Sequence, residues 1–185
     1  MDYRSDEIKN AGQKKEYWDL LDGNRCPLGR KHLRGTPMQR GEYHLVVFVW
    51  VFNSRGELLL TKRSPEKQCY ANLWENTGGA AVTGETSLQA IRRELWEETG
   101  ICAEESEFIF LDSCRGRTWF SDTYVLKKDV ALEQLVLQPG ETCDARWVTL
   151  SELKRMIGRQ MVAKPDADRL QRLEQMLTQY FHATK

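Results

Sequence analysis

Carboxylates are crowded into one short stretch of this chain, residues 79–101, which reads GAAVTGETSLQAIRRELWEETGI. Glu94, Glu97 and Glu98 fall within five residues of one another. On a helix, like charges three or four residues apart repel, so a solvent-facing helix is not stabilised by this arrangement. A divalent cation would offset the repulsion, and several close oxygen ligands suit a hard cation such as Mg²⁺. The spacing therefore predicts a metal site built on these carboxylates.

The residues around the carboxylates predict one amphipathic helix, from about residue 87 to residue 99. Thr86 fits the N-cap of a capping box in which Gln89 reaches back, and Gly100 fits the left-handed position that ends a helix. At helical spacing, the buried stripe consists of Leu88, Ile91 and Leu95. The three glutamates lie beside that stripe rather than opposite it, which predicts that they line a groove between the helix and a sheet.

Neighbouring residues could complete such a site. Arg93 is placed beside Glu97 and could orient it through a charge-assisted hydrogen bond. Glu85 precedes the helix, near its positive end. Gly79, which follows another glycine, lets the backbone approach closely and could supply a carbonyl ligand. Three glutamates taken alone, however, are more often a solvated helix face, here paired with Arg92 and Arg93.

Strand and helix patterns on both sides of this segment predict the elements that must position it. Apolar runs and turn signals predict strands at residues 17–21, 45–52, 57–63, 73–77, 107–112, 119–126 and 146–148. Helical spacing predicts further helices at residues 150–157 and 166–181. Residues 22–24 should form a tight turn in which Asp-Gly supplies positive φ, and residues 26–41 should be a loop. The strands at 45–52 and 57–63 should form a hairpin whose first arm is central. Together these elements predict a mixed α/β layered fold.

Length and charge limit the organisation and the class of partner. The 185 residues suit one domain, which we place at residues 16–185 behind a polar N-terminal extension at residues 1–15. Lys+Arg and Asp+Glu both number 27. A net charge of zero argues against a nucleic-acid or anionic-membrane binder but leaves room for a small anionic ligand. The longest apolar run, residues 45–52, is too short to span a bilayer.

The cysteines and the N-terminus indicate a cytoplasmic protein. The five cysteines are odd in number, widely scattered and without a CxxC pair, so reduced thiols are expected rather than disulfides or a zinc site. The first sixteen residues, MDYRSDEIKNAGQKKE, are charged throughout and contain no signal-peptide core.

The carboxylate segment resembles the Nudix box, G-x5-E-x7-R-E-U-x-E-E-x-G-U, in which U is aliphatic. Every specified position is filled, by Gly79, Glu85, Arg93, Glu94, Leu95, Glu97, Glu98, Gly100 and Ile101. The resemblance extends over roughly residues 16–160. It implies an α/β/α sandwich built on a mixed β-sheet, and hydrolysis of a small-molecule diphosphate that depends on Mg²⁺ or Mn²⁺. The typical substrate would be a nucleoside diphosphate linked to another moiety. Related domains often pair, so a homodimer is one expectation.

The resemblance also implies roles for individual residues. Glu94, Glu97 and Glu98 are expected to bind the metal, together with the Gly79 position. Glu94, Glu98 and Arg93 are expected to be catalytic, and one glutamate should activate the attacking water. Which glutamate does so is open, because a glutamate in a later loop could take that role. Glu141 is the candidate, although an ordinary exposed loop residue is the plainer reading.

Within this family, three stretches resemble the branch related to isopentenyl-diphosphate isomerase: WDLLDGNRCPLGRKHLRG, GEYHLVVFVWVFNSRGELLLTKRS and LWENTGGA. That enzyme carries a cysteine and then a histidine around the glycine that opens its box, whereas this chain has Gly78 and Ala80 there. Of the isomerase's two N-terminal ligand histidines, only His44 has an obvious match. The resemblance therefore implies a hydrolase. An isomerase-like enzyme and a non-catalytic nucleotide-sensing domain are the alternatives.

Several other residues could contact substrate, and each has a plainer alternative. Lys62 and Arg63 end a predicted strand that faces the box and could bind phosphate, although basic residues at strand ends are commonly solvated. His44 could also contact substrate, but a histidine that starts an apolar strand is more often a satisfied, partly buried residue. The loop at residues 115–117 could meet phosphate or be a solvated turn. Strand aromatics could stack on a base or a prenyl chain but are usually core; here these are Trp74, Trp119 and Phe120.

Overall fold

The computed structural model of the chain describes residues 15–181. The predicted extension at residues 1–15 therefore lies, except for its last residue, outside the described residues. The described elements are β1 (Tyr17–Leu21), β2 (Pro27–Leu33), β3 (His44–Phe52), β4 (Leu58–Arg63), β5 (Trp74–Glu75), β6 (Gly78–Ala80), α1 (Ser87–Thr99), β7 (Ile109–Arg115), β8 (Trp119–Lys127), β9 (Thr142–Val148), α2 (Leu150–Gly158) and α3 (Lys164–Phe181). None of the helices among them is long and apolar enough to cross a membrane.

Strand β3 organises a mixed seven-stranded sheet. It runs parallel to β8 over its whole length and antiparallel to the short strand β6. The order β5-β4-β3-β8-β7 forms the main path of the sheet, with β6 beside β3 and β9 beside β4. As the apolar run predicted, β3 is central, and its side chains are buried toward both faces. The strands β1 and β2 form a separate antiparallel pair.

Two apolar layers cover the two faces of this sheet. On one face, α1 packs against alternate residues of β3 and β8, a cluster that includes Val47, Val49, Val51, Ile91, Leu95 and Leu126. On the other face, α2 and α3 pack on a cluster that includes Trp50, Phe52, Val125, Leu153, Leu170, Leu173 and Leu177. Because the side chains of a strand alternate between faces, one strand supplies both clusters. The predicted α/β/α sandwich with a mixed sheet is confirmed.

Helix α1 forms where its local signals place it. The Thr86 side chain accepts a hydrogen bond from the backbone N–H of Gln89, whose side chain accepts one from the N–H of Thr86, a complete capping box. Gly100 ends the helix with φ of 72° and donates its N–H to the carbonyl of Trp96. These signals act within a few residues, so they need no tertiary context.

The prediction of a loop over residues 26–41 is wrong in its first half, because β2 pairs antiparallel with β1 there. Its glycine, proline and basic residues are typical of a loop, and the strand has little apolar surface to bury, so no apolar pattern predicts it. The turn between these strands does occur, but the residue with positive φ is Arg25, at 66°, not Gly23. The Asp22 carboxylate accepts hydrogen bonds from the N–H groups of Asn24 and Cys26, which stabilises that turn without a glycine at the positive-φ position.

The ends of several other strands differ from the predicted ends because the pairing partners in the sheet determine them. Strands β3 and β4 meet only at Phe52 and Leu58, after which β4 pairs with β9, so the predicted hairpin is open. The strand predicted at residues 73–77 is shortened to β5, and β6 follows it as a strand that was not predicted. Strand β7 begins later than predicted because Glu105–Glu107 forms a 3-10 turn. Strand β9 begins earlier than predicted, at Thr142, since it pairs along β4.

Candidate active site

Arg93 connects the charged residues of α1 to the loop before it. Its Nε and Nη2 atoms donate to the two carboxylate oxygens of Glu85 at 2.6 and 2.9 Å. Its Nη1 atom donates to Glu94 at 2.9 Å and to Glu97 at 3.0 Å, and Nη2 also donates to the carbonyl of Ala80 at 3.1 Å. The predicted contact between Arg93 and Glu97 is therefore present, as part of a larger network. The bond to Glu85, above all, raises the pKa of the Arg93 guanidinium, which remains charged.

Glu94 lies directly against the backbone of β6. A Cβ atom built on Gly79 would come under 3.0 Å from the Glu94 carboxyl group, so a glycine is required for the two elements to pack. Burial raises the pKa of Glu94, and the charge of Arg93 opposes that rise. The predicted close approach of the backbone to this carboxylate is thus present in the structure.

Glu98 is the most deeply buried of the three glutamates, with 9% of its surface exposed. Its Oε2 atom is inaccessible and has no hydrogen-bond partner among residues 15–181. Burial raises the pKa of Glu98 well above its ordinary value. The nearby charges of Glu75, Glu94 and Glu141 raise it further, and Arg63 acts in the opposite direction. A buried carboxylate oxygen without a donor is costly unless a proton or a cation satisfies it.

The structure adds Glu75, to which the sequence pattern assigned no role. It lies on β5, and Arg63 donates to both of its carboxylate oxygens, at 2.9 and 2.8 Å. Burial raises the pKa of Glu75 to about 7, with Asp166 adding to the rise and Arg63 opposing it. The sequence offered little to predict this role. Glu75 lies between the apolar Trp74 and the glycine pair, in a segment too short to show the alternation of a strand or the spacing of a helix.

Glu141 and Lys67 border the same group of carboxylates. The two side chains form an ion pair, and the charge of Glu141 raises the pKa of Glu98. The backbone carbonyl of Glu141 accepts a hydrogen bond from the N–H of Ser64, and the Thr142 hydroxyl donates to the carbonyl of Glu98 at 3.1 Å. The loop that carries Glu141 is thus bound to the C-terminal end of α1, and this glutamate is not an isolated surface residue.

Two other residues predicted to contact substrate, Lys62 and His44, do not join this group of carboxylates. Lys62 points away from Arg63, as alternation along β4 requires, and lies 5.9 Å from the ring centre of Trp74 without an ion-pair partner in the described part of the chain. His44 is buried and stacks on Trp18 at 3.9 Å between ring centres. Burial, helped by His32, lowers the pKa of His44 to about 4, so its ring is neutral. Its Nδ1 has no partner among residues 15–181, so this histidine is buried but not satisfied.

The other candidate side chains serve the fold. Trp74 and Phe120 are buried, and Trp119, which precedes Phe120 on β8, is half-buried. Arg115 donates to the carbonyl of Gly23, which ties the first turn of the chain to β7. All five cysteines lie within residues 15–181 and are free thiols.

The donor atoms of this site are carboxylate oxygens, the type that a hard divalent cation prefers. The charges of Glu75, Glu94 and Glu141 all act on Glu98 near the end of α1, and the pKa values of Glu75, Glu94 and Glu98 are raised. Between residues 15 and 181, no three Asp, Glu, His or Cys side chains are arranged to hold one ion together. Guanidinium groups hold several of them instead, since Arg93 binds two glutamates of α1 and Arg63 binds Glu75. The partnerless oxygen of Glu98 is the position where a cation would relieve the repulsion.

Comparison with known proteins gives the relationships of the chain. The NUDIX domain family matches residues 42–172. A Nudix hydrolase of Listeria monocytogenes is 42% identical over 142 residues, which cover 76% of this chain and 84% of that protein. An isopentenyl-diphosphate Delta-isomerase of Pectobacterium atrosepticum is 41% identical over only 86 residues, 45% of this chain and 48% of the isomerase.

The fold has a close counterpart among solved structures. The crystal structure of a Deinococcus radiodurans protein superposes with a TM-score of 0.70 at 28% identity, over 85% of this chain and 98% of that one. The family match covers most of the chain, and it includes the carboxylates of α1 and the backbone of β6 that packs against them. The chain is a member of the Nudix hydrolase family.

Proposed function

We propose that this chain is a hydrolase that needs a divalent cation and cleaves the diphosphate linkage of a small organic molecule, such as a nucleoside diphosphate joined to another group. The observation that carries the proposal is the state of Glu98. Its carboxylate is buried among three others, and one of its oxygens has no partner in the described part of the chain. A structural role would leave such a group satisfied, whereas a site that awaits a cation and substrate requires it to be free.

The cation would be held by Glu94, Glu97 and Glu98, with the carbonyl of Gly79 as a further oxygen ligand. Mg²⁺ or Mn²⁺ suits this oxygen-only donor set. When bound, the cation would neutralise charge on the diphosphate and lower the pKa of a bound water.

The chain's own residues would orient the reactants and move the proton. Arg93 holds Glu94 and Glu97 in place through charge-assisted hydrogen bonds. Arg63 and Lys67 place positive charge beside the carboxylates, where it would oppose the negative charge of a diphosphate. In hydrolysis, a water oxygen bonds to phosphorus, the bridging P–O bond breaks, and a carboxylate accepts the proton of the water. Glu98 and Glu141 are the candidates for that acceptor.

The packing around Gly78 favours a hydrolase over an isomerase. The isomerase has a cysteine at this position. A Cβ atom on Gly78 would lie under 3.0 Å from the Phe48 ring and from the carbonyl of Val47. The site therefore lacks the cysteine and also the space for one, unless both Phe48 and the backbone of Val47 move.

A cytoplasmic location and a partner that is a small molecule belong to the same proposal. Five free thiols suit a reducing compartment, and the balance of 27 basic and 27 acidic residues offers no general attraction to nucleic acid or anionic membranes. A homodimer remains an expectation from the family.

The test is a screen, with products identified by chromatography, for phosphomonoesters formed from a panel of nucleoside diphosphate derivatives, including sugar, dinucleotide and prenyl diphosphates, with Mg²⁺, Mn²⁺ or EDTA. We expect turnover of at least one class, and its loss in EDTA. A ligand that raises the melting temperature without any turnover would instead establish a nucleotide-sensing domain. Interconversion of isopentenyl and dimethylallyl diphosphate by the pure protein would overturn the hydrolase proposal.

A further inference from the structure

Helix α3 begins with a buried ion pair whose position needs an explanation. Arg169 donates through Nη1 to the Oδ1 atom of Asp166 at 2.9 Å, and the two residues are 8% and 7% exposed. Taking two charges out of water carries a large desolvation penalty, and well-packed apolar residues often serve stability equally well. Stability alone therefore does not account for this pair, and its other contacts point to its role.

Both members of the pair bind Asn76, which lies between β5 and β6. Arg169 Nη1 donates to the Asn76 side-chain oxygen at 3.0 Å, and the N–H of Asn76 donates to Asp166 at 3.4 Å. The Asn76 amide in turn donates to the carbonyl of Val49 on β3 at 3.1 Å. Asn76 is only 3% exposed, so these bonds form out of competition with water.

The guanidinium of Arg169 also covers Phe48. The guanidinium carbon lies 3.3 Å from the centre of the Phe48 ring. The same ring also lies against Gly78, where an added Cβ would come under 3.0 Å from it. Phe48 therefore contacts both Arg169 and the backbone of β6, and the cation helps to fix the ring that packs against Gly78.

The chain just before α3 continues this attachment through backbone bonds. The N–H of Trp74 donates to the carbonyl of Met161 at 2.9 Å, and the N–H of Ala163 donates to the carbonyl of Trp74 at 2.8 Å. Residues 74–80 are thus bound by the C-terminal segment on one side and by β3 on the other. This 74–80 segment carries the two groups that meet the glutamates of α1, namely Glu75 and Gly79.

We propose that Arg169 is a positioning residue for the catalytic site. It holds the 74–80 segment at the distance from α1 at which Glu75, Glu94 and Glu98 share one site. Its hydrogen bond to Asn76 and its contact with Phe48 act on the placement of the carboxylates, and its charge also acts on Glu75. The inference rests on the proposed cation-dependent function.

The test compares Arg169→Met with Arg172→Met. The control residue lies one turn later on α3 and also forms an ion pair, with Asp112, but is partly exposed and does not contact the 74–80 segment. We expect Arg169→Met to weaken Mn²⁺ binding, measured by calorimetry without substrate, about 10-fold and to lower kcat/KM by a similar factor, as is usual for residues that orient metal ligands. Arg172→Met should stay within about twofold of the wild type, and Arg169→Lys should recover part of the loss.

Circular dichroism and melting curves must show that the variants are folded at the assay temperature. Should Arg169→Met not fold, Asn76→Ala tests the same link, because it removes the hydrogen bond from Arg169 to the segment and leaves the Asp166–Arg169 pair in place. Unchanged Mn²⁺ affinity and turnover in a folded Arg169→Met or Asn76→Ala protein would overturn the inference. A wild type that binds Mn²⁺ but cleaves no diphosphate would instead overturn the proposed function, since Mn²⁺ affinity is measured without substrate.

Discussion

Glu98 combines three properties that seldom occur together in a carboxylate kept for structure. It is buried, it is surrounded by other carboxylates, and one of its oxygens lacks a partner among the described residues. Because burial raises its pKa, the metal-free protein loses stability as pH rises from about 4.5 through the higher folded pKa. The residue therefore costs stability at neutral pH, a pattern typical of functional sites.

Glu98→Gln should abolish turnover while it leaves the fold intact. The amide keeps the size of the side chain but can neither accept a proton nor bind a hard cation strongly, so we expect a loss of about 100-fold or more in kcat. In EDTA at pH 7, the variant should be at least as stable as the wild type, because the buried charge is gone. Initial rates and urea unfolding measure both effects.

The matched control for Glu98→Gln is Glu104→Gln, since the Glu104 side chain is 79% exposed. The turnover rate and the unfolding free energy of Glu104→Gln should both equal those of the wild type. Wild-type turnover by Glu98→Gln would exclude Glu98 from the mechanism and shift attention to Glu141.

Among elements, the contact between α1 and β6 decides the geometry of the site. Strand β6 is only three residues long, yet it brings Gly79 against Glu94 and its neighbour Gly78 against Phe48. The helix is held to the loop before it by Arg93, which binds Glu85 and the carbonyl of Ala80. A side chain at this contact would separate the two elements that the site requires to be close.

Gly79→Ala should lower turnover at least about 10-fold, because the added methyl group would displace the Glu94 carboxylate from its position. Gly158→Ala is the matched control, since a Cβ there meets nothing within 4 Å and its φ is not positive. It should retain full activity and an equal or slightly higher unfolding free energy. Steady-state rates and urea unfolding distinguish the two, and equal activity in both variants would contradict the steric argument.

At the scale of the whole molecule, the small β1–β2 sheet must be joined to the seven-stranded sheet. One junction is the stack of Trp18, on β1, on His44, at the start of β3, with ring planes 9° apart. The His44 ring is neutral in the folded protein, with a pKa lowered to about 4 by burial. Between pH 6.5 and pH 4, the unfolded chain therefore binds more protons at this residue than the folded one, and stability falls as the pH falls.

His44→Gln should reduce this acid sensitivity. Between pH 7 and pH 4.5, the unfolding free energy of the variant should fall less than that of the wild type by roughly 1–2 kcal/mol, allowing for partial solvation of the ring. Urea unfolding across that pH range measures the difference. His32→Gln, on a half-buried ring bonded to Thr36, should change the acid sensitivity much less, because the charge of His32 is only a secondary cause of the lowered His44 pKa. If the unfolding free energies of all three proteins fell equally with pH, His44 would not contribute to the acid sensitivity.

Local rules account for the parts that sequence reasoning predicted well. The capping box at Thr86 and the left-handed Gly100 set the ends of α1 through contacts within four residues. The existence of strands β3, β4 and β8 followed from apolar runs and turn signals. Residues 26–41 show the opposite case, since a strand with little apolar surface becomes one only because β1 pairs with it.

By itself, the sequence determined the family, the central strand and the helix that carries Arg93 and the three glutamates, because each depends on residue types at short spacing. Only the tertiary structure decided that Arg63 rather than Lys62 meets the carboxylates, that Glu75 joins them, and that Glu141 lies beside Glu98. These residues are brought together by strand pairing across the sheet and by the start of α3. Contacts between segments far apart in the chain depend on the whole fold, and no local pattern encodes them.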